Sequence, residues 1–125
     1  MKRESLKQAS VPELAAAYAQ AAALHGQASI EGAHRVANAQ YKKLMAAWRA
    51  LRNGGADGRA ALTVLLQDSN PHVRLWAASH VLEFAPGVAE AELEQLAHGP
   101  PSVVRLDAEM TLREWRAGNL KFTED

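Results

Sequence analysis

The sequence predicts an all-α fold, arranged as an α-α superhelix of about six helices in three antiparallel pairs. Apolar residues recur every three or four positions along much of the chain, as they do on one face of a helix. Alanine, a strong helix former, makes up much of the 48% hydrophobic content. The chain also repeats itself, because residues 91–118 match residues 60–87 at nine of 28 positions. A repeat of this length is typical of stacked helical hairpins.

The length of 125 residues predicts a single domain. Composition and turn signals divide it into five segments. They are a tail at 1–9, a helical hairpin at 10–53, a first repeat at 57–87, a second repeat at 88–118 and a tail at 119–125.

The first helix of the hairpin has clear start and stop signals. Ser10 followed by Glu13 is the pattern of a capping box, in which each residue satisfies a backbone N–H of the other. The helix is expected to run to about His25 and to stop at Gly26.

The second helix of the hairpin is expected to span about Ser29 to Arg52, to be the longest, and to end at Gly54-Gly55. Its predicted buried stripe alternates steps of four and three. The stripe consists of Ile30, His34, Ala37, Tyr41, Leu44, Trp48 and Leu51.

Each repeat reads as a helix, a break and a second helix. In the first copy Asn70 is the expected cap and Pro71 the first helical residue, with the helix continuing to Phe84 before Pro86-Gly87. In the second copy a Gly-Pro-Pro break precedes a helix from about Ser102 to Arg116.

The first copy resembles a HEAT repeat. It reads Leu62-x-x-Leu65-Leu66-x-Asp68-x-Asn70-Pro71-x-Val73-Arg74-x-x-Ala77-Ala78-x-x-x-Leu82. The resemblance implies a structural pair in which Asp68 of the turn supports Arg74 of the second helix. The second copy departs from the pattern at Gly99 and Glu109, which suits a terminal repeat with its outer side in water.

The whole chain also resembles a family of small bacterial proteins of unknown function with HEAT-like helices. The match is most specific at Ala108-x-Met110-Thr111-Leu112-Arg113-Glu114-Trp115-Arg116-x-Gly118. The resemblance brings with it no established activity.

Charge is balanced overall but unevenly distributed. Residues 1–59 hold nine Lys and Arg against four Asp and Glu, a net of +5, and residues 60–125 hold five against ten, a net of −5. Overall neutrality gives no support to nucleic-acid or membrane binding, whereas a polarised charge favours a protein partner. Without cysteine, signal peptide or spanning segment, the sequence predicts a cytoplasmic protein.

No pattern indicates catalysis, a metal site or a cofactor. The closest pair of histidines, His72 and His80, is eight residues apart, which is not a helical ligand spacing. The glycines at 54–58 follow no strand and precede no lysine, so we interpret them as a connector. Glu90, Glu92 and Glu94 are interpreted as a solvated start of a helix.

The candidate binding surface is the outer face of the second helix in each repeat. Two rows are expected to lie side by side and to contact a partner protein, with Trp76 either at the centre of the interface or packed in the core. The rows are His72, Trp76, Ser79 and Glu83, and Val103, Asp107, Met110 and Glu114. Trp48 and Trp115 are expected to be core residues. A weaker candidate is a basic row of Arg35, Lys42 and Arg49 on the hairpin.

The favoured function is therefore a protein–protein interaction module, and a narrower hypothesis is an immunity-type inhibitor of a bacterial toxin. The alternatives are a nucleic-acid-binding HEAT-like protein and an enzyme with an unrecognised site. The sequence predicts neither the partner nor the oligomeric state.

Overall fold

A computed structural model describes residues 9–122, and over this range it is all-helical with no strand. Six α-helices are joined by short turns. They are α1 (Val11–Glu31), α2 (His34–Asn53), α3 (Gly55–Val64), α4 (Pro71–Val81), α5 (Pro86–Ala97) and α6 (Val103–Arg116), with a 3-10 turn at Leu65–Gln67. The predicted all-α class of about six helices is confirmed. Most of the two predicted tails, at 1–8 and 123–125, lies outside the described residues.

The chain forms two compact units that meet in sequence between Leu65 and Leu66. The first unit contains α1, α2 and α3, and the second contains α4, α5 and α6. The boundary falls inside the segment 57–87, so the division into two repeats stays a prediction.

The hairpin of α1 and α2 turns six residues later than expected. The capping box is present, because Ser10 N donates to Glu13 Oε1 at 2.9 Å and Glu13 N donates to Ser10 Oγ at 3.2 Å. The prediction that α1 stops at Gly26 is wrong, since this glycine is buried within the helix, which ends at Gly32 with φ +71°. A glycine costs a helix only about 1 kcal/mol, and packing of the surrounding turns offsets that cost. As a result α1 is the longest helix, with 21 residues against 20 in α2.

The core of the first unit consists of a few large buried side chains surrounded by alanines. Tyr18 of α1 and Leu44, Trp48 and Leu51 of α2 are buried, among the alanines of both helices. Burial raises the pKa of the Tyr18 phenol well above its usual value. The predicted stripe is confirmed at Ala37 and through the C-terminal half of α2, at Leu44, Trp48 and Leu51. Ile30, His34 and Tyr41 are exposed, because the later turn moves Ile30 onto α1 and leaves the turn end of the hairpin in solvent.

The second unit begins with a turn that is held by hydrogen bonds between side chains and backbone. Asn70 caps α4 by accepting from His72 N at 2.8 Å, and Asp68 Oδ1 accepts from Asn70 N at 2.8 Å. Arg74 Nη1 donates to the carbonyl of Asp68 at 2.7 Å, so the arginine binds the backbone of that residue, and its guanidinium lies 3.3 Å from Glu92.

The second break has the same contact without an aspartate. Arg105 Nη1 lies 3.5 Å from the carbonyl of Gly99, the residue that matches Asp68 in the repeat. Because the acceptor is a main-chain carbonyl, the arginine contact needs no acidic side chain at this position.

The connection between α4 and α5 also differs from the expected one. α4 ends at Val81, so Glu83 lies in the turn beyond the helix. Pro86 was expected to stop the preceding helix, but it is the first residue of α5. Proline fits there because its missing N–H would have no helical partner.

One close approach sets the position of α3 on α2. A Cβ added at Gly58 would lie 1.8 Å from the carbonyl oxygen of Leu51, which is backbone of α2 and cannot move aside. Both Gly58 and Leu51 are buried. Only glycine permits this contact between the two helices.

We expect Gly58→Ala to lower the free energy of unfolding by at least about 2 kcal/mol, because overpacking against backbone forces the helices apart. Gly87→Ala is the matched control, since Gly87 also lies in a helix but has nothing within 4 Å of an added Cβ. Urea unfolding followed by circular dichroism measures both. Equal midpoints for the two variants would contradict the close approach.

Candidate protein-binding surface

The rotation of α6 about its axis decides which of its side chains face outward. Val104, Ala108 and Leu112 are buried at successive intervals of four residues, which defines the inward stripe of the helix. Since each residue advances about 100° around a helix, side chains at the opposite positions must face solvent.

Three large apolar side chains occupy that solvent-facing side. Val103, Leu106 and Met110 are 47%, 56% and 50% exposed. Their spacing of three and four places them in one line, which we call the α6 ridge. Asp107 and Glu114, both exposed, lie along one side of the ridge. The surface is therefore apolar along its centre and acidic along one edge.

α5 holds α6 in this rotation through charged side chains. Trp115 Nε1 donates to Glu90 Oε1 at 3.2 Å, and Arg116 Nη2 donates to Glu94 Oε1 at 2.6 Å. Glu92, between them in sequence, pairs with Arg74 of α4. The interpretation of these glutamates as merely solvated was therefore wrong, because alternate positions of α5 face α4 and α6.

Trp115 differs from its predicted role as a core residue. It is only partly buried, and its ring lies 6.4 Å from that of Phe122 in an edge-to-face arrangement. Together with the bond to Glu90, this contact places Trp115 at the side of α6 facing away from the ridge. Trp48, by contrast, is buried, as the sequence indicated.

The predicted row on α4 is less exposed than the row on α6. His72, Trp76 and Ser79 are partly buried, and Ser79 Oγ donates to the carbonyl of Leu75 at 2.8 Å. Glu83 is exposed but lies past the end of the helix. α4 and α6 do pack against each other, yet only the α6 row presents all four of its members to solvent. The candidate surface is thus centred on α6.

Trp76 is neither fully exposed, as a residue at the centre of an interface would be, nor fully buried, as a core residue would be. Its ring is partly buried and lies 5.9 Å from the ring of His80, which is only 8% exposed. Burial lowers the pKa of His80 from its usual value to about 3, since the charged imidazolium would lose its hydration. A substitution at Trp76 therefore changes packing as well as surface.

Sequence reasoning missed Leu106. The repeat pairs it with Leu75, and identical positions in a repeat suggest identical surroundings. In the structure their surroundings differ, because Leu75 is buried, with 8% of its surface exposed, whereas Leu106 is 56% exposed. The sequence feature that could have identified Leu106 is its spacing of three residues from Val103 and four from Met110, which places all three on one helix face.

The first unit has a surface groove lined mainly by small residues. We call it the alanine groove, and it lies between the start of α1 and the end of α2. Its lining consists of Ala9, Val11, Leu14, Ala46, Ala50, Asn53 and Gly54. The predicted basic row runs along the same helix, with Arg35 and Lys42 exposed and Arg49 partly buried.

The second unit has a polar groove between α5 and α6. Its charged side chains pair with one another, as Arg105 does with Glu109 at 3.4 Å and Arg116 with Glu94. The lining consists of Glu94, Ala97, His98, Arg105, Glu109, Leu112, Arg113 and Arg116. These pairs are partly or largely exposed, which is typical of structural surface charges.

Two further properties of residues 9–122 bear on function. No group of three or more His, Asp or Glu side chains in this range is arranged to hold a metal ion. None of the helices described is both long enough and apolar enough to span a bilayer.

The fold and surface define a small all-helical domain with an acid-edged apolar ridge on its last helix. A family model described as "Domain of unknown function (DUF2019)" matches residues 8–115, and the chain belongs to this family. This confirms the expected membership in a family of unknown function, while the HEAT-like character of the repeats stays a prediction.

The structural comparison supports the same fold class. The chain is similar to the crystal structure of the protein RPA1889 from Rhodopseudomonas palustris CGA009, with 26% identity and a TM-score of 0.87. The match covers 94% of this chain and 98% of that one, and its bacterial source fits the predicted family. No curated protein matches the chain.

The buried His80 makes stability depend on pH. As the pH falls below about 6.5, the unfolded chain binds a proton at this residue before the folded chain does, so stability is lost between about 6.5 and 3. We expect His80→Leu to reduce the slope of unfolding free energy against pH, which for one such group reaches about 1.4 kcal/mol per pH unit. His98→Gln is the control because His98 is exposed. Chemical unfolding at several pH values gives the slopes, and identical slopes for wild type and His80→Leu would contradict the buried neutral state.

Proposed function

We propose that this domain is a protein-binding module and that the α6 ridge, with its acidic edge, is the contact surface. The observation that carries the proposal is the alignment of Val103, Leu106 and Met110, each about half exposed, on one face of one helix. Single exposed apolar residues are ordinary, but a contiguous line of them, edged by charges, is typical of a protein interface.

The spacing of the side chains in the α6 ridge favours a partner protein that presents a helix or an apolar groove to it. Side chains spaced three and four along a helix are the anchors used when an amphipathic helix enters an apolar groove. A methionine and a leucine add contact area that adapts to the partner. Asp107 and Glu114 favour a partner with basic residues beside its apolar part.

The charge of the second unit bears on the alternatives. Residues 66–125 hold five basic and ten acidic residues, a net of −5, which opposes contact with a nucleic-acid backbone. An immunity-type inhibitor is a narrower form of the same proposal. It requires a target whose functional surface is basic and has an apolar recess.

Affinity capture from lysate of the organism that encodes the chain tests the proposal. We expect Leu106→Ser/Met110→Ser to reduce the amount of partner retained at least about tenfold. Each substitution removes an apolar group worth about 1 kcal/mol or more when buried at an interface. Folding should be nearly unchanged, because both side chains are exposed in the free protein.

Val64→Ser/Val88→Ser is the matched control, since both valines are exposed and lie on other helices. It should retain the same proteins as wild type. An identical set of captured proteins for the ridge variant and wild type would refute the proposal.

A further inference from the structure

We propose that the N-terminal half of α2 binds a single strand of nucleic acid, with basic side chains on its phosphates and ring and amide side chains on its bases. The site lies on the first unit, so it is separate from the α6 ridge and goes beyond the proposed function. The charge of α2, the exposure of one of its faces and the arrangement of that face in two rows support the proposal.

α2 concentrates the positive charge of the first unit. Residues 9–65 hold six basic and three acidic side chains, and five of the six basic ones lie on α2, which has no Asp or Glu. Glu13 belongs to the capping box at the far end of α1, and Asp57 lies on α3. Glu31, at the end of α1, accepts from Gln27 Nε2 at 2.8 Å. A helix that carries cations alone attracts a polyanion.

Two cations of the basic row are available to a ligand. Arg35 and Lys42 are exposed and make no ion pair or hydrogen bond within residues 9–122. They are seven residues apart, which places them on one side of the helix about 10.5 Å apart along its axis. Arg49 continues the row, but it is partly buried and already engaged within the protein, so it lies outside the proposed contact. Binding of two phosphates therefore breaks no existing pair.

A second row of exposed side chains runs beside these cations. His34, Asn38 and Tyr41 follow one another at intervals of four and three, and we call them the stacking row. His34 and Tyr41 were expected to be buried, but the late turn of the hairpin leaves both in solvent. The ring of Tyr41 is 44% exposed and lies 6.3 Å from the ring of His25 on α1. The row offers ring surface and hydrogen-bonding groups.

The two rows place each cation next to a ring. His34 precedes Arg35 and Tyr41 precedes Lys42 in sequence, and consecutive residues lie about 100° apart around a helix. A nucleotide likewise carries a flat base beside a charged phosphate. A strand lying along α2 can therefore set phosphates on the cations while its bases stack on the rings. Basic surfaces interleaved with aromatic side chains bind single strands in this way.

The stacking row favours an unpaired strand over other polyanions. In a duplex the faces of each base are already stacked, so the ring of Tyr41 gains nothing from it. An acidic protein would use the cations but has no need of the rings. An anionic bilayer requires apolar side chains on the face that carries the cations. The exposed apolar residue of this part of α2, Val36, lies about 140° from Tyr41 around the helix.

Fluorescence anisotropy of labelled oligothymidylate and oligouridylate, each about 12 nucleotides long, measures the binding. We expect a dissociation constant near 10⁻⁴ M for at least one of them. Neutralising two phosphates of a single strand predicts that affinity falls about sevenfold between about 50 and 200 mM salt. The inference is overturned if neither strand binds at about 1 mM protein in low salt, or if a duplex of the same length binds more tightly.

Paired substitutions on α2 locate the site. Arg35→Ser/Lys42→Ser should lower the affinity at least about tenfold and remove most of its salt dependence. Lys43→Ser/Arg59→Ser is the matched control, because it removes the same charge from two exposed residues outside both rows. It should bind like wild type. Circular dichroism melts establish that each variant is folded. Equal losses for the two folded pairs would show that only net charge matters and would overturn the site.

Tyr41 separates a nucleic acid from a simple polyanion. Tyr41→Ala should lower the affinity for the oligonucleotide about fivefold or more, since a stacked base is lost, while Tyr41→Phe keeps the affinity. Polyglutamate of equal charge supplies carboxylates without bases, and it should bind more weakly than the oligonucleotide. Binding of polyglutamate as tight as that of the oligonucleotide, with no effect of Tyr41→Ala, would contradict the inference.

The outcome is separable from that of the proposed function. Leu106→Ser/Met110→Ser lies on α6 and should bind the oligonucleotide like wild type. A chain that binds no strand, but whose capture of a protein depends on Leu106 and Met110, ends this inference and leaves the proposed function standing. The reverse result ends the proposed function and supports the inference.

Discussion

The burial of one stripe on α6 is the constraint on which the candidate surface depends. The angular positions of side chains around a helix are fixed relative to one another. Burial of Val104, Ala108 and Leu112 therefore fixes the direction in which the residues between them point. Val103, Leu106 and Met110 are held in solvent because turning them inward would expose the buried stripe. The ridge is thus a consequence of packing elsewhere on the same helix, at a cost that a binding partner would offset.

Charged contacts from α5 reinforce this constraint. The bonds of Glu90 to Trp115 and of Glu94 to Arg116 reach α6 on its inward flanks, whereas Glu92 reaches α4. Such partly exposed pairs contribute little to stability, roughly 0–1 kcal/mol each. Their value lies in orientation, because each fixes the side of a helix that faces its neighbour. The apolar stripe supplies the stabilisation, and the charges restrict the rotation.

Much of this architecture follows from local signals in the sequence. The caps at Ser10 and Asn70 were predictable because short polar side chains satisfy free N–H groups at fixed offsets. Gly26 was misread as a stop, because glycine weakens a helix only slightly and long-range packing decides the outcome. The acidic edge and Met110 were predicted from helical spacing. Leu106 was not predicted, because the repeat aligns it with Leu75, which is buried. The alignment carries no information about which of the two helices is covered by a neighbouring helix.

The central claim is that the α6 ridge is covered by protein in the cell. The chain has no cysteine, so Met110→Cys introduces a single thiol at the middle of the exposed face. The most direct measurement is the rate at which a membrane-permeant alkylating reagent labels this thiol in intact cells, relative to dilute purified protein. The account predicts slower labelling in cells at position 110 and no such difference for Val64→Cys, at a site 68% exposed on α3. Equal protection ratios at the two positions would contradict it.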